Sequence, residues 1–151
     1  MADIKQENSG KAAISRLSDA ALLADLHALC FPGQGWSEQS FAAFLARDNV
    51  SAYGHEDGFV LVQNLPDGSE ILTLAVRPGQ RRQGMARALL GFFDAGGAAQ
   101  EIWLEVGEDN VAARALYRSA GFVETGRRPG YYKRAGNLSV DAVLMKRVKH
   151  D

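Results

Sequence analysis

Apolar positions in the first part of this 151-residue chain follow the spacing of two short helices and then of paired strands. Leucines recur at helical spacing after Ser18-Asp19, which predicts a first helix with Ser18 as its N-cap and an end at Pro32. Ser37-Glu38 begins a second short helix with apolar residues on one face. Residues 50–64 predict a hairpin, with two strands around the turn signal Glu56-Asp57-Gly58.

The middle of the chain predicts a strand, a loop and a helix, in that order. Residues 70–76 are apolar enough for a central strand of a sheet. A polar, glycine-bearing loop follows Pro78-Gly79, and a helix then runs from about Gly84 to Gly96-Gly97. The apolar residues that form one face of this helix are Met85, Ala88, Leu89, Phe92 and Phe93.

The C-terminal part continues the alternation of strands and helices. Residues 102–106 predict a strand, and 110–119 predict a helix closed by a left-handed Gly121. Two strands, about 122–126 and 138–147, finish the chain. The order ααβββαβαββ predicts a mixed sheet flanked by helices, in the α/β or α+β class.

Composition restricts the class of protein further. The chain is 46% hydrophobic and 23% charged, with one cysteine, which argues against disorder throughout and against an internal disulfide or a cysteine-based metal cluster. It has no apolar run long enough to span a bilayer and no signal-peptide stretch, so a reducing cytoplasm is the expected compartment. We expect residues 1–11 to be a flexible tail and 12–151 to form one domain.

Charge is divided unevenly along the chain. The formal net charge is -1, but residues 1–76 carry 4 Lys/Arg against 10 Asp/Glu, whereas residues 77–151 carry 13 against 8. A net charge near zero argues against a dedicated nucleic-acid binder. The basic half begins at Arg77, which favours an acidic or phosphate-bearing partner for the second half.

The loop Arg81-x-x-Gly84-x-Ala86 lies between a predicted strand and a predicted helix. A helix N-terminus presents unpaired N–H groups and a positive dipole end, and small residues let an anion approach them. Arg81, Arg82 and Arg87 add positive charge there. By itself the pattern favours a plain β–α turn with solvated arginines, and it is neither a P-loop nor a three-glycine dinucleotide fingerprint.

In context, LAVRPGQRRQGMARALL followed by WLEVGEDNVAARALYRSAGF resembles the GNAT acetyltransferase superfamily. The resemblance covers about residues 14–147 and is strongest at 72–123. It implies a parallel strand pair that splays open, and a loop that binds the pyrophosphate of acetyl-CoA, the acetyl donor, with no metal. The residues it implies in donor binding are Leu74, Ala75, Val76, Arg81, Arg82, Gln83, Gly84, Met85, Ala86, Arg87 and Asn110. Among these, Val76 also supplies the backbone N–H that stabilises the oxyanion, and Asn110 alternatively serves only as a helix N-cap.

Three further segments are similar to the bacterial ribosomal-protein alanine N-acetyltransferases, the RimI type. They are Phe31-Pro32 with Trp36-Ser37-Glu38, Arg127-Arg128 with Tyr131-Tyr132, and Asp141–Met145. The likeness implies that Trp36, Tyr131 and Tyr132 line an acceptor groove, although aromatic residues in loops are often simply packed. The chain departs from the group by an inserted Gly33-Gln34-Gly35 and by Pro129-Gly130, which lengthens the arginine–tyrosine spacing. Both departures lie where such enzymes shape the acceptor site.

Glu105 and Tyr117 are the candidate catalytic residues. By strand alternation Glu105 shares a face with Trp103, and a carboxylate there can act as a general base, directly or through water. Tyr117 lies two helical turns after Asn110, and a phenol can protonate a leaving thiolate. The resemblance assigns these roles to the same two positions. The alternatives are a solvated strand-end glutamate and a core tyrosine, and we interpret Cys30 as helix filler, not a nucleophile.

The sequence thus favours direct acetyl transfer to a protein N-terminal α-amine, with an alanine-initial small-subunit ribosomal protein as the expected partner. We expect neither a nucleic-acid nor a membrane partner, and a monomer or weak dimer. One alternative keeps the fold and donor but takes a small amine or a lysine side chain as acceptor. Another is a non-catalytic acyl-CoA-binding module, against which the presence of both Glu105 and Tyr117 argues.

Overall fold

The computed structural model describes residues 13–81, 83–96 and 101–148. Its helices are α1 (Ala20–Cys30), α2 (Glu38–Leu45), α3 (Met85–Gly96) and α4 (Val111–Ser119). Its strands are β1 (Ser15–Leu17), β2 (Val50–His55), β3 (Gly58–Leu65), β4 (Gly68–Val76), β5 (Glu101–Gly107), β6 (Val123–Lys133) and β7 (Ser139–Val148). The predicted tail at 1–11, together with Arg82 and Gly97, lies outside the described residues.

The strands form one seven-stranded mixed sheet in the order β1-β2-β3-β4-β5-β7-β6. β4 and β5 pair in parallel, whereas β5 with β7 and β6 with β7 pair antiparallel. The parallel register runs from Ser69 opposite Ile102 to Ile71 opposite Leu104, although both strands continue beyond these residues. The predicted mixed α/β fold with a parallel strand pair is confirmed.

By internal contacts the chain divides into two compact units, and it passes from one to the other at Leu61/Val62, Leu72/Thr73 and Ala95/Gly96. The first unit contains β1, β2, α1, α2, the first half of β3, the second half of β4, and α3 through Ala95. The second contains β5, β6, β7, α4 and the remaining halves of β3 and β4. Among the described residues, no helix is both long enough and apolar enough to cross a membrane.

The first unit packs its helices on the hairpin through fully buried apolar side chains. Leu23 and Leu26 of α1 are inaccessible to solvent, and Phe41 of α2 meets Phe59 of β3 edge-on at 5.7 Å between ring centroids. Two details of α1 differ from the prediction. Its N-cap is Asp19, whose carboxylate accepts from the Leu22 N–H at 3.2 Å, because the helix begins one residue later than Ser18 would require. Leu29 is 48% exposed and does not join the core.

The second unit shows the predicted alternation along β5. Ile102, Leu104 and Val106 are buried, whereas Trp103 and Glu105 on the opposite face are partly exposed. The turn after α4 also forms as predicted: Gly121 adopts a φ of +96°, and the next residue, a phenylalanine, is buried.

Two strand predictions need correction. The short strand β1 was absent from the predicted order, since three residues with mostly exposed side chains give no periodic signal. The strand predicted over 122–126 instead continues to Lys133. Its register shifts between Arg128 and Tyr132, so the Pro129-Gly130 pair forms an irregularity within the strand and does not end it. Gly130 has a φ of +58°, and its N–H donates to the Asp141 carboxylate at 2.9 Å.

Candidate functional site

In the first unit, the segment that follows β4 is tied down at both ends. The Val76 carbonyl accepts from Arg81 Nε at 3.1 Å and from the Cys30 thiol at 3.2 Å. The Arg77 N–H donates to the Asp57 carbonyl at 2.7 Å, and its side chain meets the Asp57 carboxylate at 3.2 Å. The loop is therefore anchored to α1 on one side and to the hairpin turn on the other. Cys30 is half-buried and takes part in this anchoring.

The start of α3 is open to an approaching group. Gly84 has a φ of +79° and is exposed, and among the described residues no atom other than those of its chain neighbours lies within 4 Å of the place where a Cβ would lie. Helical hydrogen bonding begins here, with the Ala88 N–H donating to the Gly84 carbonyl at 2.9 Å. Gln83 and Arg87 are exposed beside it. The first N–H groups of a helix have no acceptor within the helix, so this terminus fits a phosphate group.

The hairpin lies very close to the end of β4 and to the start of α3, the two elements that flank this loop. At Gly58, the first residue of β3, an added Cβ would lie 2.9 Å from both the Ala75 carbonyl oxygen and the Met85 sulfur. Only a residue without a side chain lets these groups come so close. The predicted donor-binding residues of β4 are graded in burial, with Leu74 half-buried and both Ala75 and Val76 buried.

Trp36 lies between α1 and α2, also in the first unit. Its ring is half-buried, at 5.6 Å between centroids from both Phe41 and Phe44. Its main-chain N–H donates to His27 Nδ1 at 3.0 Å. The residue is thus packed on one side and partly exposed on the other, which suits both interpretations given above.

In the second unit, Glu105 lies on the half-exposed face of β5. Its carboxylate forms an ion pair with Arg128 Nε at 2.8 Å, and its side chain is 22% exposed, against 55% for Arg128. Trp103 precedes it on the same face. The carboxylate is therefore accessible but already has a cationic partner.

A second carboxylate, Glu70, belongs to the same group of residues and was not among the predicted site residues. Glu70 lies opposite Trp103 in the parallel register, on the face that also carries Glu105. Burial raises the pKa of Glu70, and the Glu105 charge raises it further, whereas Arg128 lowers it. The sequence does show that Glu70 is the sole charged residue in EILTLAV. Its proximity to Glu105, however, follows only from the register between β4 and β5.

Tyr131 and Tyr132 lie on β6, not in a loop as predicted, since the strand continues through the Pro129-Gly130 irregularity. Tyr131 is 54% exposed, with the Arg128 guanidinium 5.4 Å from its ring centroid. Tyr132 is half-buried, and burial followed by the Glu105 charge raises the pKa of its phenol. Four side chains, Glu70, Glu105, Arg128 and Tyr132, thus form one interacting group, which we call the carboxylate cluster.

α4 carries the remaining two predicted residues. Tyr117 is buried, its ring 5.7 Å from that of Phe122 in an edge-on arrangement, and burial raises the pKa of its phenol. It therefore stays protonated at neutral pH, as a proton donor must be before reaction. Asn110 is the N-cap of the helix, where its side chain accepts from the Ala113 N–H at 3.2 Å. The cap uses the amide oxygen, and the amide nitrogen carries two further donors.

Within the part of the chain that the structure describes, no group of three or more His, Cys, Asp and Glu side chains could hold a metal ion. The arrangements described above instead suit an anionic ligand at the start of α3 and a cationic ligand at the carboxylate cluster.

Comparison with known proteins gives concordant results. A family model, the acetyltransferase (GNAT) domain, matches residues 39–124. The chain is 35% identical over 144 residues to the ribosomal protein bS18-alanine N-acetyltransferase of Escherichia coli (strain K12), covering 87% of this chain and 94% of that protein. An uncharacterized protein of Mycobacterium leprae is 48% identical over 79 residues, which are 52% of this chain and only 21% of that protein's length.

A solved structure extends the comparison to the fold. The crystal structure of the ribosomal-protein-S18-alanine N-acetyltransferase from Escherichia coli matches with a TM-score of 0.79 at 29% identity, over 90% of this chain and 92% of that one. The matched domain covers the loop, β5 and α4 described above. On the domain match and the near full-length relative, the chain belongs to the GNAT family of acetyltransferases.

Proposed function

We propose that this acetyltransferase moves the acetyl group of acetyl-CoA to the N-terminal α-amine of a protein, and that an alanine-initial small-subunit ribosomal protein is its substrate. The observation that carries the proposal is the carboxylate cluster, in which two carboxylates face a single guanidinium. Such an excess of negative charge suits a cationic ammonium group as acceptor. The named Escherichia coli relative, which matches over most of both chains, supports the ribosomal protein.

We assign the binding of the donor's phosphates to residues of the first unit. Arg81 and the N-terminus of α3, from Gln83 to Arg87, would hold the pyrophosphate of acetyl-CoA, with Arg82 as a further cation. Leu74, Ala75 and Val76 would pair through their backbone with the pantetheine arm, and the Val76 N–H would stabilise the oxyanion. Asn110 would contact the same arm through its amide nitrogen while its oxygen caps α4.

The chemical roles fall to Glu105 and Tyr117. The amine nitrogen attacks the thioester carbonyl, so that a C–N bond forms and the C–S bond breaks. Glu105 takes the proton that the amine loses, and Tyr117 gives a proton to the departing sulfur. An α-amine with a pKa of about 8 needs less deprotonation at neutral pH than a lysine with a pKa of about 10.4, so a weak base suffices.

Acceptor recognition is assigned to aromatic side chains that are partly exposed in each unit. By resemblance, the acceptor would contact Trp36 of the first unit, and Tyr131 and Tyr132 of the second. The inserted Gly33-Gln34-Gly35 precedes Trp36, and Pro129-Gly130 shifts the register of β6 before the tyrosines. These two departures favour a second candidate in which the acceptor is a small amine or a lysine side chain.

Acceptor profiling decides between the candidates. Purified protein and acetyl-CoA are incubated with an Ala-initial ribosomal peptide, its N-terminally blocked counterpart, an internal-lysine peptide and a polyamine, and acetylation is measured by mass. We expect the Ala-initial peptide to react fastest and its blocked form not to react at that end. Faster reaction of the polyamine or the lysine peptide refutes the α-amine acceptor. Binding of CoA without acetylation of any amine refutes the proposed catalytic activity.

A further inference from the structure

His27, on the last turns of α1, is a buried polar residue to which the proposed reaction gives no role. It is 3% exposed and lies within a cluster of aromatic rings. Its ring centroid is 4.5 Å from that of Phe31, 4.8 Å from Trp36 and 5.4 Å from Phe41. An apolar side chain would fill this volume equally well, so the imidazole calls for another explanation.

Both ring nitrogens of His27 are engaged in directional hydrogen bonds. Nδ1 lies 3.0 Å from the main-chain N–H of Trp36 and must accept from it. In a neutral imidazole the other nitrogen then carries the proton, so Nε2 donates to the Thr73 hydroxyl at 3.0 Å. Burial lowers the pKa of His27 to about 4, which keeps the ring neutral at physiological pH.

The segment between α1 and α2 is close-packed against α1. An added Cβ at Gly35 would lie 2.9 Å from the Ala28 Cα, and the Gln34 N–H donates to the Phe31 carbonyl at 2.9 Å. The hydrogen bond to His27 fixes the end of this segment at Trp36. The inserted Gly33-Gln34-Gly35 thus belongs to a turn with a defined conformation.

The same side of α1 is bonded twice to β4. His27 donates to Thr73, and one helical turn later the Cys30 thiol donates to the Val76 carbonyl. Thr73 precedes Val76 by three residues on the strand assigned to the acetyl donor. The imidazole therefore connects the segment ending at Trp36 to this strand through two hydrogen bonds on opposite sides of one ring.

We propose that His27 is a positioning residue for acceptor specificity: its two hydrogen bonds hold the Phe31–Trp36 segment in the single conformation that binds the acceptor amine. The proposal rests on the proposed function, since it takes Trp36 to be part of the acceptor site. It assigns His27 no contact with substrate. Loss of the hydrogen bonds should therefore weaken acceptor binding while leaving donor binding and the chemical step nearly unchanged.

Three substitutions test this separation. His27→Phe fills the aromatic cluster but removes both hydrogen bonds, and Thr73→Val removes only the acceptor of the Nε2 proton at similar volume. His27→Gln restores one acceptor and one donor. We expect His27→Phe to raise the acceptor KM about tenfold or more, Thr73→Val to raise it less, and His27→Gln to restore it, with kcat and the acetyl-CoA KM within about twofold throughout.

The measurements use the full chain and whichever amine the wild-type protein acetylates in the acceptor profiling described above. The test of His27 is therefore independent of whether that acceptor proves to be an α-amine. Exchange of the Trp36 amide proton, followed by NMR, provides a readout without turnover: it should accelerate in His27→Phe and return in His27→Gln. An unchanged acceptor KM in folded His27→Phe overturns the proposal. If that variant does not fold, an unchanged acceptor KM in Thr73→Val does so. A parallel fall in kcat and in both affinities also overturns it, because it indicates general destabilisation.

Discussion

Replacing Tyr117 by phenylalanine tests the proposed proton donor with the smallest available change. The substitution removes one hydroxyl and keeps the ring, which is 6% exposed and packs edge-on against Phe122 at 5.7 Å. Because the buried ring area is preserved, the free energy of unfolding should change by about 1 kcal/mol or less, the net value of one hydrogen bond. Any larger effect on rate is then chemical and not due to unfolding.

The expected loss follows from general acid catalysis. Positioned proton transfer contributes about 10²–10⁴-fold to rate, which corresponds to about 2.7–5.4 kcal/mol of transition-state stabilisation. Tyr117→Phe should therefore lower kcat by this factor. The acetyl-CoA KM should change little, since the hydroxyl is assigned to the departing sulfur and not to donor binding.

The assay follows release of the CoA thiol with a thiol-reactive chromophore at saturating acetyl-CoA and Ala-initial peptide. Tyr53→Phe is the matched control, because Tyr53 is a half-buried tyrosine against Phe92, at 5.5 Å between ring centroids, and has no assigned role. A Tyr117→Phe rate within about threefold of wild type, as in the control, refutes the assignment of the acid. A wild-type rate that declines near pH 8 through ionisation of Tyr117 also contradicts it, because burial raises the pKa of that phenol.

Three further results are expected. Arg81→Gln should weaken CoA binding several-fold, with a smaller difference at high salt and an unchanged acceptor KM, as measured by calorimetry and kinetics. Arg128→Gln should raise the pKa of Glu70 further, because it removes the charge that lowers it, and carboxyl NMR titration would detect this. Stability should fall as pH drops from about 6.5 towards 4, since unfolded His27 binds a proton that the folded ring excludes. His27 should account for about 3 kcal/mol of this loss in the free energy of unfolding. The denaturant midpoint of His27→Gln should therefore fall less over this pH range than that of the wild-type protein. An equal pH dependence of the two midpoints would contradict the prediction.

Local patterns allowed most of the fold to be predicted from the sequence. The spacing of apolar residues located the four α-helices of the described residues, and alternation placed Glu105 on the partly exposed face of β5. Residues that usually mark the ends of strands were less reliable guides. Pro129-Gly130 looks like the end of a strand, but the strand continues because Asp141 on β7 accepts from the Gly130 N–H and stabilises the irregularity.

Candidate site residues could be predicted from the sequence only where a motif within one strand, loop or helix marks them. The loop after β4 and the tyrosine of α4 could be located because each has a local motif. Glu70 could not, because its meaning depends on the register that sets it opposite Trp103 and near Glu105. The two hydrogen bonds of His27 were equally hidden, since Thr73 lies 46 residues away in the chain.

The close approach of the Ala75 carbonyl and the Met85 sulfur to Gly58 has a consequence for how this protein can vary. A methyl group there would collide with the Ala75 carbonyl and with the Met85 sulfur at once, so the hairpin and the start of α3 do not evolve independently. A shorter side chain at position 85 would relieve one collision, but the backbone oxygen would remain in place. Substitutions at position 58 are therefore coupled to those at position 85, and the glycine constrains a part of the chain that lies far from it in sequence.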